Sequence, residues 1–152
     1  MNQTATRIML PDLAAMASFG MRIAAKLQVG DVVELRGTLG AGKSTLAREV
    51  LAALGHEGDV PSPTFTLIEV YDGPQMRVPV AHADFYRLDD PDEVQELGLD
   101  DYREGAALLA EWPERAGGFA HEPGCLTITL EIEDDGRSAI VSGGKAWQER
   151  MP

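Results

Sequence analysis

The sequence has only one cysteine, Cys125, among its 152 residues. An internal disulfide is therefore excluded, no disulfide partner is expected, and a reducing compartment suits the chain. No apolar run approaches the roughly 18 residues that a membrane-spanning helix needs. The first ten residues also lack the charged and apolar regions of a secretory signal. These absences predict a cytoplasmic protein that makes no use of a membrane.

Positive charge is also scarce, because 13 lysine and arginine residues stand against 25 aspartate and glutamate residues, for a net charge of −12. An acidic surface repels phosphate backbones at long range, so tight and direct binding of nucleic acid by this chain alone is not expected. Residues 89–104 carry eight of the acidic side chains and a single arginine. This segment is either a solvated helix face or a docking surface for a basic partner.

The rest of the composition is that of a globular protein, with 44% hydrophobic and 25% charged residues. A chain of this length has room for one compact domain, which we expect to span residues 1–152. Its core is predicted at about residues 9–142. Residues 143–152 begin with two glycines and are expected to fray.

Hydrophobic periodicity and turn residues predict an α/β fold. The predicted elements are a helix after Pro11 that runs to about Leu27, a strand at 32–36, a helix from Lys43 that ends at Gly55, a hairpin of strands 64–71 and 77–83, a short helix opened by Pro91, a buried strand at 106–110, and a hairpin of strands 126–132 and 138–142. Because proline cannot donate to a strand ladder, Pro79 places its strand at an edge or at a bulge. The sum is a three-layer domain with a mixed sheet and antiparallel hairpins.

A glycine-rich segment from Gly37 to Ser44 matches the pattern G-x-x-x-x-G-K-[ST], with a predicted strand directly before it and an amphipathic helix directly after it. In this context the segment is a P-loop, and the domain is expected to be a P-loop NTPase. Backbone N–H groups and the helix N-terminus would cradle phosphates. Lys43 would reach the β- and γ-phosphates, and the Ser44 hydroxyl would bind Mg²⁺. The predicted nucleotide-binding residues are Gly37, Thr38, Leu39, Gly40, Ala41, Gly42, Lys43, Ser44 and Thr45.

A P-loop also needs a carboxylate near Mg²⁺ at the end of another strand, and the sequence offers two. Asp84 follows the predicted strand at 77–83, and Glu111 follows the one at 106–110. Both positions lie where the carboxyl ends of strands meet the ligand in open α/β sheets. Either carboxylate could bind Mg²⁺ through water or orient the attacking water, and the residues alone leave this choice open.

ATP is the expected nucleotide, because the chain lacks the Asn/Thr-Lys-x-Asp motif by which guanine-specific GTPases resemble one another. It has one asparagine, Asn2, and none of its three lysines stands in that context. Other polar and aromatic residues receive structural interpretations. We expect His82 to make a structural hydrogen bond, with a role beside the nucleotide as the alternative. Trp112 is expected to pack rather than to stack on a base. Arg137 is expected to be exposed in a turn, where it could otherwise contact phosphate or base.

Five segments together resemble one family. They are GTLGAGKST at 37–45, SPTFT at 62–66, HADFYRL at 82–88, GLDDY at 98–102 and EWP at 111–113. In this order and spacing they resemble TsaE (formerly YjeE), the family of bacterial P-loop ATPases of tRNA threonylcarbamoyladenosine synthesis, over about residues 9–141. The glycine-rich loop alone would be generic, whereas the SPTFT, DFYRL and EWP segments together are specific.

The resemblance implies a slow ATPase that binds ATP and Mg²⁺ and associates with TsaD-like and TsaB-like proteins. In the family, that pair transfers a threonylcarbamoyl group to adenosine 37 of tRNAs that read ANN codons, so tRNA would be met only through the complex. The resemblance also implies catalytic roles for Lys43, Asp84 and Glu111, with Asp84 as the Walker-B-like carboxylate. Ser44 and Glu111 would be the Mg²⁺ ligands, and residues 62–66 would form a switch-like loop near the γ-phosphate.

The chain departs from the family pattern at three positions. Thr38 stands where members commonly have an acidic residue, so a hydrolytic role for that carboxylate is not expected here. Ser44 replaces the commoner threonine and can serve equally as a hydroxyl ligand. Ala83 replaces a bulkier aromatic residue, which alters packing.

Two alternatives to a partner-dependent ATPase stay open. A small-molecule P-loop kinase would close an arginine-bearing lid over the transferred phosphate. Between residues 56 and 105 the chain has only Arg77, Arg87 and Arg103, which are not clustered and argue against a kinase. A nucleotide-binding switch with negligible turnover needs only a poor water-positioning group, and Thr38 is consistent with it.

Overall fold

The computed structural model describes residues 5–61 and 67–152, which contain seven β-strands, four α-helices and two 3₁₀ turns. The strands are β1 Thr6–Leu10, β2 Val32–Arg36, β3 Ile68–Tyr71, β4 Val80–Asp84, β5 Ala107–Glu111, β6 Cys125–Glu133 and β7 Gly136–Gly143. The α-helices are α1 Leu13–Lys26, α2 Lys43–Leu54, α3 Glu93–Glu96 and α4 Leu99–Arg103, and the 3₁₀ turns are Pro113–Ala116 and Lys145–Trp147. Within these ranges no helix has both the length and the apolar character needed to cross a membrane.

One mixed sheet contains all the strands of the described residues, in the order β1-β7-β6-β2-β5-β4-β3. The central strand β2 is parallel to its neighbours β5 and β6, and β4 is parallel to β5. The pairs β3–β4, β6–β7 and β1–β7 are antiparallel. The mixed sheet and its antiparallel pairs confirm the predicted fold class. Because β2, β4 and β5 run in the same direction, their carboxyl ends meet at one edge, where Asp84 is paired with Glu111.

Helices cover both faces of the sheet and produce the predicted three layers. Side chains alternate between the faces along a strand. Val33 and Leu35 of β2 therefore join a core with α1 and α2, whereas Val32 joins a second core that includes Leu99 of α4 and Phe119. Both sides of β2 are covered, so its one acidic residue, Glu34, is buried as well and is paired with Arg36.

The ends of the two long helices follow from capping residues. Asp12 precedes α1, and its carboxylate accepts a hydrogen bond of 2.8 Å from the backbone N–H of Ala15. Gly55 follows α2 with a φ of 118°, in the left-handed region that favours glycine, and its N–H donates to the carbonyl of Ala52. The sequence predicted both of these helices.

The strand β1 was not predicted from the sequence. It is an edge strand that pairs antiparallel with β7, and Arg7 and Met9 are exposed on it while Leu10 is buried. The alternation at Ile8 and Leu10 is the available signal, and it is too short to specify a strand. Pairing with β7, rather than local propensity, makes this segment extended.

The expectation for Pro79 is wrong. The strand that follows it, β4, lies inside the sheet between β5 and β3, and it begins at Val80, one residue after the proline. Pro79 therefore needs no N–H for the ladder, and its carbonyl accepts a hydrogen bond of 2.9 Å from Ala107 N. The predicted antiparallel hairpin is present as β3–β4, and residues 64–66 of its first predicted strand lie outside the described residues.

The expectation that residues 143–152 fray is also wrong. Trp147 is fully buried in the core below α1 and α2, and its Nε1 donates a hydrogen bond of 2.8 Å to the carbonyl of Gly124. Arg150 donates two hydrogen bonds of 2.9 Å to the carboxylate of Asp31. An aromatic anchor and a bidentate ion pair thus hold the segment in place.

The thiol of Cys125 is buried at the start of β6, with 2% of the residue exposed. Burial raises the pKa of this thiol from 9.0 to about 12, and the negative charge of Glu34 acts in the same direction. We expect the native thiol to react with an alkylating reagent at pH 8 about 10³-fold more slowly than the unfolded chain, since the thiolate is the nucleophile. Alkylation kinetics with and without denaturant measure this ratio, and equal rates would contradict the buried thiol.

The raised pKa of the Cys125 thiol also makes the stability of the fold depend on pH. The pKa of the Cys125 thiol in the folded chain lies above its unfolded value of 9.0. The contribution of the neutral thiol to stability is therefore fully present below pH 9 and is lost as the pH rises toward about 12.

Candidate functional site

The glycine-rich loop connects β2 to α2 at the edge where the parallel strands end. Gly37, Gly40 and Gly42 have φ values of 140°, 81° and 109°, which lie in the region that favours glycine. At Gly37 a Cβ would also lie 2.6 Å from the carbonyl oxygen of Leu130, so no side chain fits there. The loop delivers the chain directly to the N-terminus of α2, whose free N–H groups attract anions.

Lys43, the first residue of α2, turns its side chain back over the loop. Its Nζ donates to the carbonyl oxygens of Gly37 at 2.6 Å and Thr38 at 2.9 Å. The same Nζ lies 4.4 Å from the centre of the Trp112 ring, which is a cation–π distance. Burial lowers the pKa of Lys43, and the carboxylates of Glu111, Asp84 and Glu114 oppose that change.

A chain of hydrogen bonds joins the loop to β5 and β4. Ser44 Oγ donates to Glu111 Oε1 at 3.0 Å, and His82 Nε2 lies 2.7 Å from Glu111 Oε2. Glu111 is the last residue of β5 and is 3% exposed, so both of its oxygens are held inside the protein. The direct contact of Ser44 is with Glu111, the carboxylate that ends the strand next to β2.

Asp84 ends β4 beside Glu111 and is also buried. Its Oδ1 accepts a hydrogen bond of 2.9 Å from the backbone N–H of Tyr86, so the turn after β4 orients the carboxylate. The parallel β4–β5 register therefore places both candidate carboxylates at one end of the sheet. Sequence reasoning identified both residues but not their pairing.

Two cavities border the glycine-rich loop. The first has a volume of about 290 Å³, and it is lined by Leu39, Gly40, Gly42, Lys43, Ser44, Thr45, Asp84, Glu111 and Trp112. The second has a volume of about 280 Å³, shares Gly40, Gly42 and Thr45 with the first, and is lined further by Leu10, Pro11, Asp12, Leu13, Met16, Gly136 and Arg137. The first cavity is polar and contains the predicted catalytic side chains, and the second is bordered by apolar side chains.

Comparison with known proteins identifies the family. The sequence model of the family described as "Threonylcarbamoyl adenosine biosynthesis protein TsaE" matches residues 10–140. The chain belongs to the TsaE family. The expected resemblance is thereby confirmed.

Individual relatives in the TsaE family span most of the chain. A TsaE from Streptomyces coelicolor is 42% identical, over 87% of this chain and 93% of its own length. A TsaE from Haemophilus influenzae is 38% identical, over 85% of this chain and 84% of its own. The crystal structure of Bacillus subtilis YdiB superposes with a TM-score of 0.74 at 28% identity, and it covers 97% of this chain and 90% of YdiB.

The structure places all nine predicted loop residues of this TsaE chain between β2 and the first turn of α2. Six of them line the first cavity: Leu39, Gly40, Gly42, Lys43, Ser44 and Thr45. Gly37 and Thr38 hold the Lys43 ammonium with their carbonyls. Ala41 is a buried residue of the loop, and its N–H donates to the carbonyl of Thr38 at 3.1 Å. The predicted switch-like loop, residues 62–66, lies outside the described residues.

Sequence reasoning missed the contacts that Trp112 and Arg137 make near the glycine-rich loop. Trp112 has a φ of 54° and lies over Lys43, with its ring centre 5.0 Å from that of Tyr86. Arg137 is not simply exposed, because its Nη2 donates to the carbonyl of Gly40 at 3.2 Å. For Trp112 the sequence offers one signal: Pro113 disfavours the right-handed helical conformation at the residue before it.

The side chains at this TsaE site suit a magnesium ion. The described residues hold no group of three His, Cys, Asp or Glu side chains arranged to bind a metal. Mg²⁺ in nucleotide sites needs less, because one or two protein oxygens are completed by phosphates and waters. The hydroxyl of Ser44 and the carboxylate of Glu111, whose oxygens are 3.0 Å apart, are hard oxygen donors of this kind.

Proposed function

We propose that this chain is an ATP-binding and ATP-hydrolysing subunit that uses Mg²⁺ and supports TsaD-like and TsaB-like proteins in the threonylcarbamoylation of adenosine 37 of tRNAs that read ANN codons. Membership of the TsaE family supports the process, since the relatives are named tRNA threonylcarbamoyladenosine biosynthesis proteins. The observation that carries the ATPase role is the loop that ends in Lys43 and Ser44, with Ser44 bonded to Glu111. The proposal includes a single cytoplasmic domain.

The glycine-rich loop supports phosphate binding in this proposal. Its backbone N–H groups and the N-terminus of α2 offer positive ends to phosphate oxygens. The ammonium of Lys43, which here satisfies two loop carbonyls, would transfer its hydrogen bonds to the β- and γ-phosphates. We assign the base to the second cavity, because Leu10, Leu13 and Met16 offer it an apolar surface on the far side of the loop.

Ser44 and Glu111 would hold the metal, and Asp84 would act beside them. Bound Mg²⁺ would supply positive charge to the phosphate oxygens. Ser44 Oγ would turn a lone pair toward the metal, and the carboxylate of Glu111 would face the first cavity. Asp84, fixed by the N–H of Tyr86, would orient a water toward the phosphate.

The positions of two arginines favour the ATPase over a small-molecule kinase. Arg77 donates to the carbonyls of Ala24 and Leu27 at the end of α1, and Arg103 pairs with Glu122 at 2.5 Å. Both side chains are therefore engaged away from the first cavity. A kinase lid would need such arginines over the transferred phosphate.

Substitution of the two carboxylates tests the metal assignment. Mg²⁺ should raise the affinity of the wild-type chain for ATP. We expect this gain to be about 10–100-fold smaller in Glu111→Gln, because an amide keeps the size of the side chain but loses the charge that a hard cation prefers. ATP affinity in EDTA should stay within about threefold of the wild-type value. Calorimetric titration with ATP, in Mg²⁺ and in EDTA, measures both quantities.

Asp84→Asn is the matched variant, with the same change of charge one strand away. A larger loss of the Mg²⁺-dependent gain in Asp84→Asn than in Glu111→Gln would show that Asp84, not Glu111, is the ligand. A wild-type chain that binds no ATP under either condition would overturn the proposed function itself.

A further inference from the structure

His82 is a buried histidine whose two ring nitrogens have very different surroundings. It lies in the middle of β4 and is 1% exposed. Its Nε2 is 2.7 Å from Glu111 Oε2. Its Nδ1 is also buried, and in the described part of the chain it has no hydrogen-bond partner. A buried polar atom without a partner costs free energy, so the ring is not explained by packing alone.

The contacts determine which nitrogen carries the hydrogen. A carboxylate only accepts hydrogen bonds, so Nε2 must donate to Glu111. The N–H of Nε2 is therefore directed at Glu111.

The N–H of His82 restrains Oε2 of Glu111, so Oε1 is the oxygen that faces the glycine-rich loop. Oε2 is held by His82 from the adjacent strand, while Oε1 receives the hydroxyl of Ser44 on the loop side. If Oε1 exchanges Ser44 for a metal ion, the bond from His82 is the contact that keeps the carboxylate in place. The backbone of β4 fixes the ring, because the strand is paired on both sides by β3 and β5.

We propose that His82 is a positioning residue for Glu111: its Nε2–H holds Oε2 so that Oε1 faces Ser44 and the Mg²⁺ position. This inference rests on the proposed function, because the Mg²⁺ position is part of that function. Hydrogen bonds to a metal-binding carboxylate orient it, and their loss typically weakens metal binding by about 10–100-fold.

Two substitutions separate the hydrogen bond from the packing. In His82→Gln the amide nitrogen reaches about as far as Nε2 does, whereas in His82→Asn it reaches only about as far as Nδ1. Both variants bury an amide in place of the ring. We expect His82→Gln to keep the Mg²⁺-dependent gain in ATP affinity within about threefold and His82→Asn to lose about tenfold or more. Affinity in EDTA should be unchanged in both.

The measurement is calorimetric titration with ATP in Mg²⁺ and in EDTA, with thermal unfolding of each variant alongside. Equal Mg²⁺-dependent gains in His82→Gln, His82→Asn and the wild type would overturn the positioning role. So would equal losses in the two variants, since loss of packing would then explain them. In the Glu111→Gln background, His82→Asn should have no further effect on the gain, because its target is gone.

The wild-type chain provides a test that needs no variant. Nitrogen NMR of ¹⁵N-labelled histidine should show that Nε2 of His82 carries a hydrogen, coupled to a downfield-shifted N–H resonance. An Nε2 without a hydrogen would overturn the inference even where a variant fails to fold. Failure of the wild type to bind ATP with Mg²⁺ would instead overturn the proposed function, and the Nε2–H resonance would still report whether the His82–Glu111 contact exists.

Discussion

The Lys43→Ala chain should fold normally and lose productive ATP binding. Lys43 provides the one cationic side chain among the described residues that line the first cavity. A charge-assisted hydrogen bond to phosphate contributes about 1.5–3 kcal/mol, and the lysine is positioned to make more than one. We therefore expect the affinity for ATP to fall by at least about 100-fold.

The fold should tolerate this change for reasons visible in the structure. Lys43 donates hydrogen bonds only to carbonyls of its own loop, and its other contact is with the ring of Trp112. Burial of its ammonium lowers the pKa, since it disfavours the charged form. Alanine also has the highest helix propensity, which suits the first position of α2. Calorimetry measures ATP affinity, and circular dichroism with thermal unfolding checks the fold.

Lys26→Ala is the matched control, because Lys26 is an exposed lysine at the end of α1. It makes the same change in charge and should leave ATP affinity unaltered. If Lys43→Ala bound ATP as the wild type does, the glycine-rich loop would not be the phosphate site. If both lysine variants lost affinity equally, general charge rather than position would explain the effect.

Local sequence patterns were sufficient to predict the loop and the helix that follows it. The glycines of the loop adopt backbone angles that other residues rarely adopt. Gly42 directly precedes α2, and Lys43 and Ser44 are its first two residues, so the motif also marks where the helix begins. The predicted hairpins succeeded for a similar reason, because turn residues lie next to the strands that they join. These features depend on neighbours in the chain.

The remaining features depend on residues far apart in the sequence. The pairing of Asp84 with Glu111 follows from the register of two parallel strands, which no local pattern encodes. Strand β1 exists because β7 is beside it, and the C-terminal segment is ordered because Trp147 and Arg150 find partners near residues 124 and 31. The contact between His82 and Glu111 spans 29 positions and two strands in the same way.

Steady-state turnover of ATP by the isolated chain should be slow, and TsaD-like and TsaB-like partners should accelerate it. Phosphoryl transfer needs positive charge on the γ-phosphate oxygens and a positioned water. No arginine lines the first cavity among the described residues, and Thr38 offers no carboxylate to polarise water. An arginine supplied by a partner contributes about 10³–10⁵ in rate, which is the range that we expect.

Three arginines around the glycine-rich loop and the turn after β5 are engaged in other contacts. Arg36 bonds to Glu34 and Glu114, and Arg137 donates to the carbonyl of Gly40. Arg115 lies over the ring of Tyr86, 5.5 Å from its centre. Among the described residues, the first cavity is therefore lined by Lys43 but by no arginine, and a partner is the expected source of the missing charge.

The acidic segment at residues 89–104 is the docking surface that we propose for those partners. It folds into α3 and α4, and Glu96 and Asp101 point their carboxylates to solvent. Such a surface attracts a basic partner at low salt, and salt weakens the attraction. The combined variant Glu96→Gln and Asp101→Asn should weaken the acceleration, whereas Asp134→Asn with Asp135→Asn, an equal change of charge in the β6–β7 turn, should not.

Turnover should therefore be measured for the chain alone, with both partners at low salt, and with both partners at high salt. We expect slow turnover by the chain alone, fast turnover with both partners at low salt, and intermediate turnover with both partners at high salt. At low salt, the variant Glu96→Gln with Asp101→Asn should turn over ATP at about the rate that the wild type shows at high salt. High turnover by the isolated chain that neither partner alters would contradict a partner-supplied charge, because the described arginines and Thr38 would then have to suffice. Acceleration that persists in the docking variant but disappears in Lys43→Ala would keep the ATPase and place the docking surface elsewhere on the molecule.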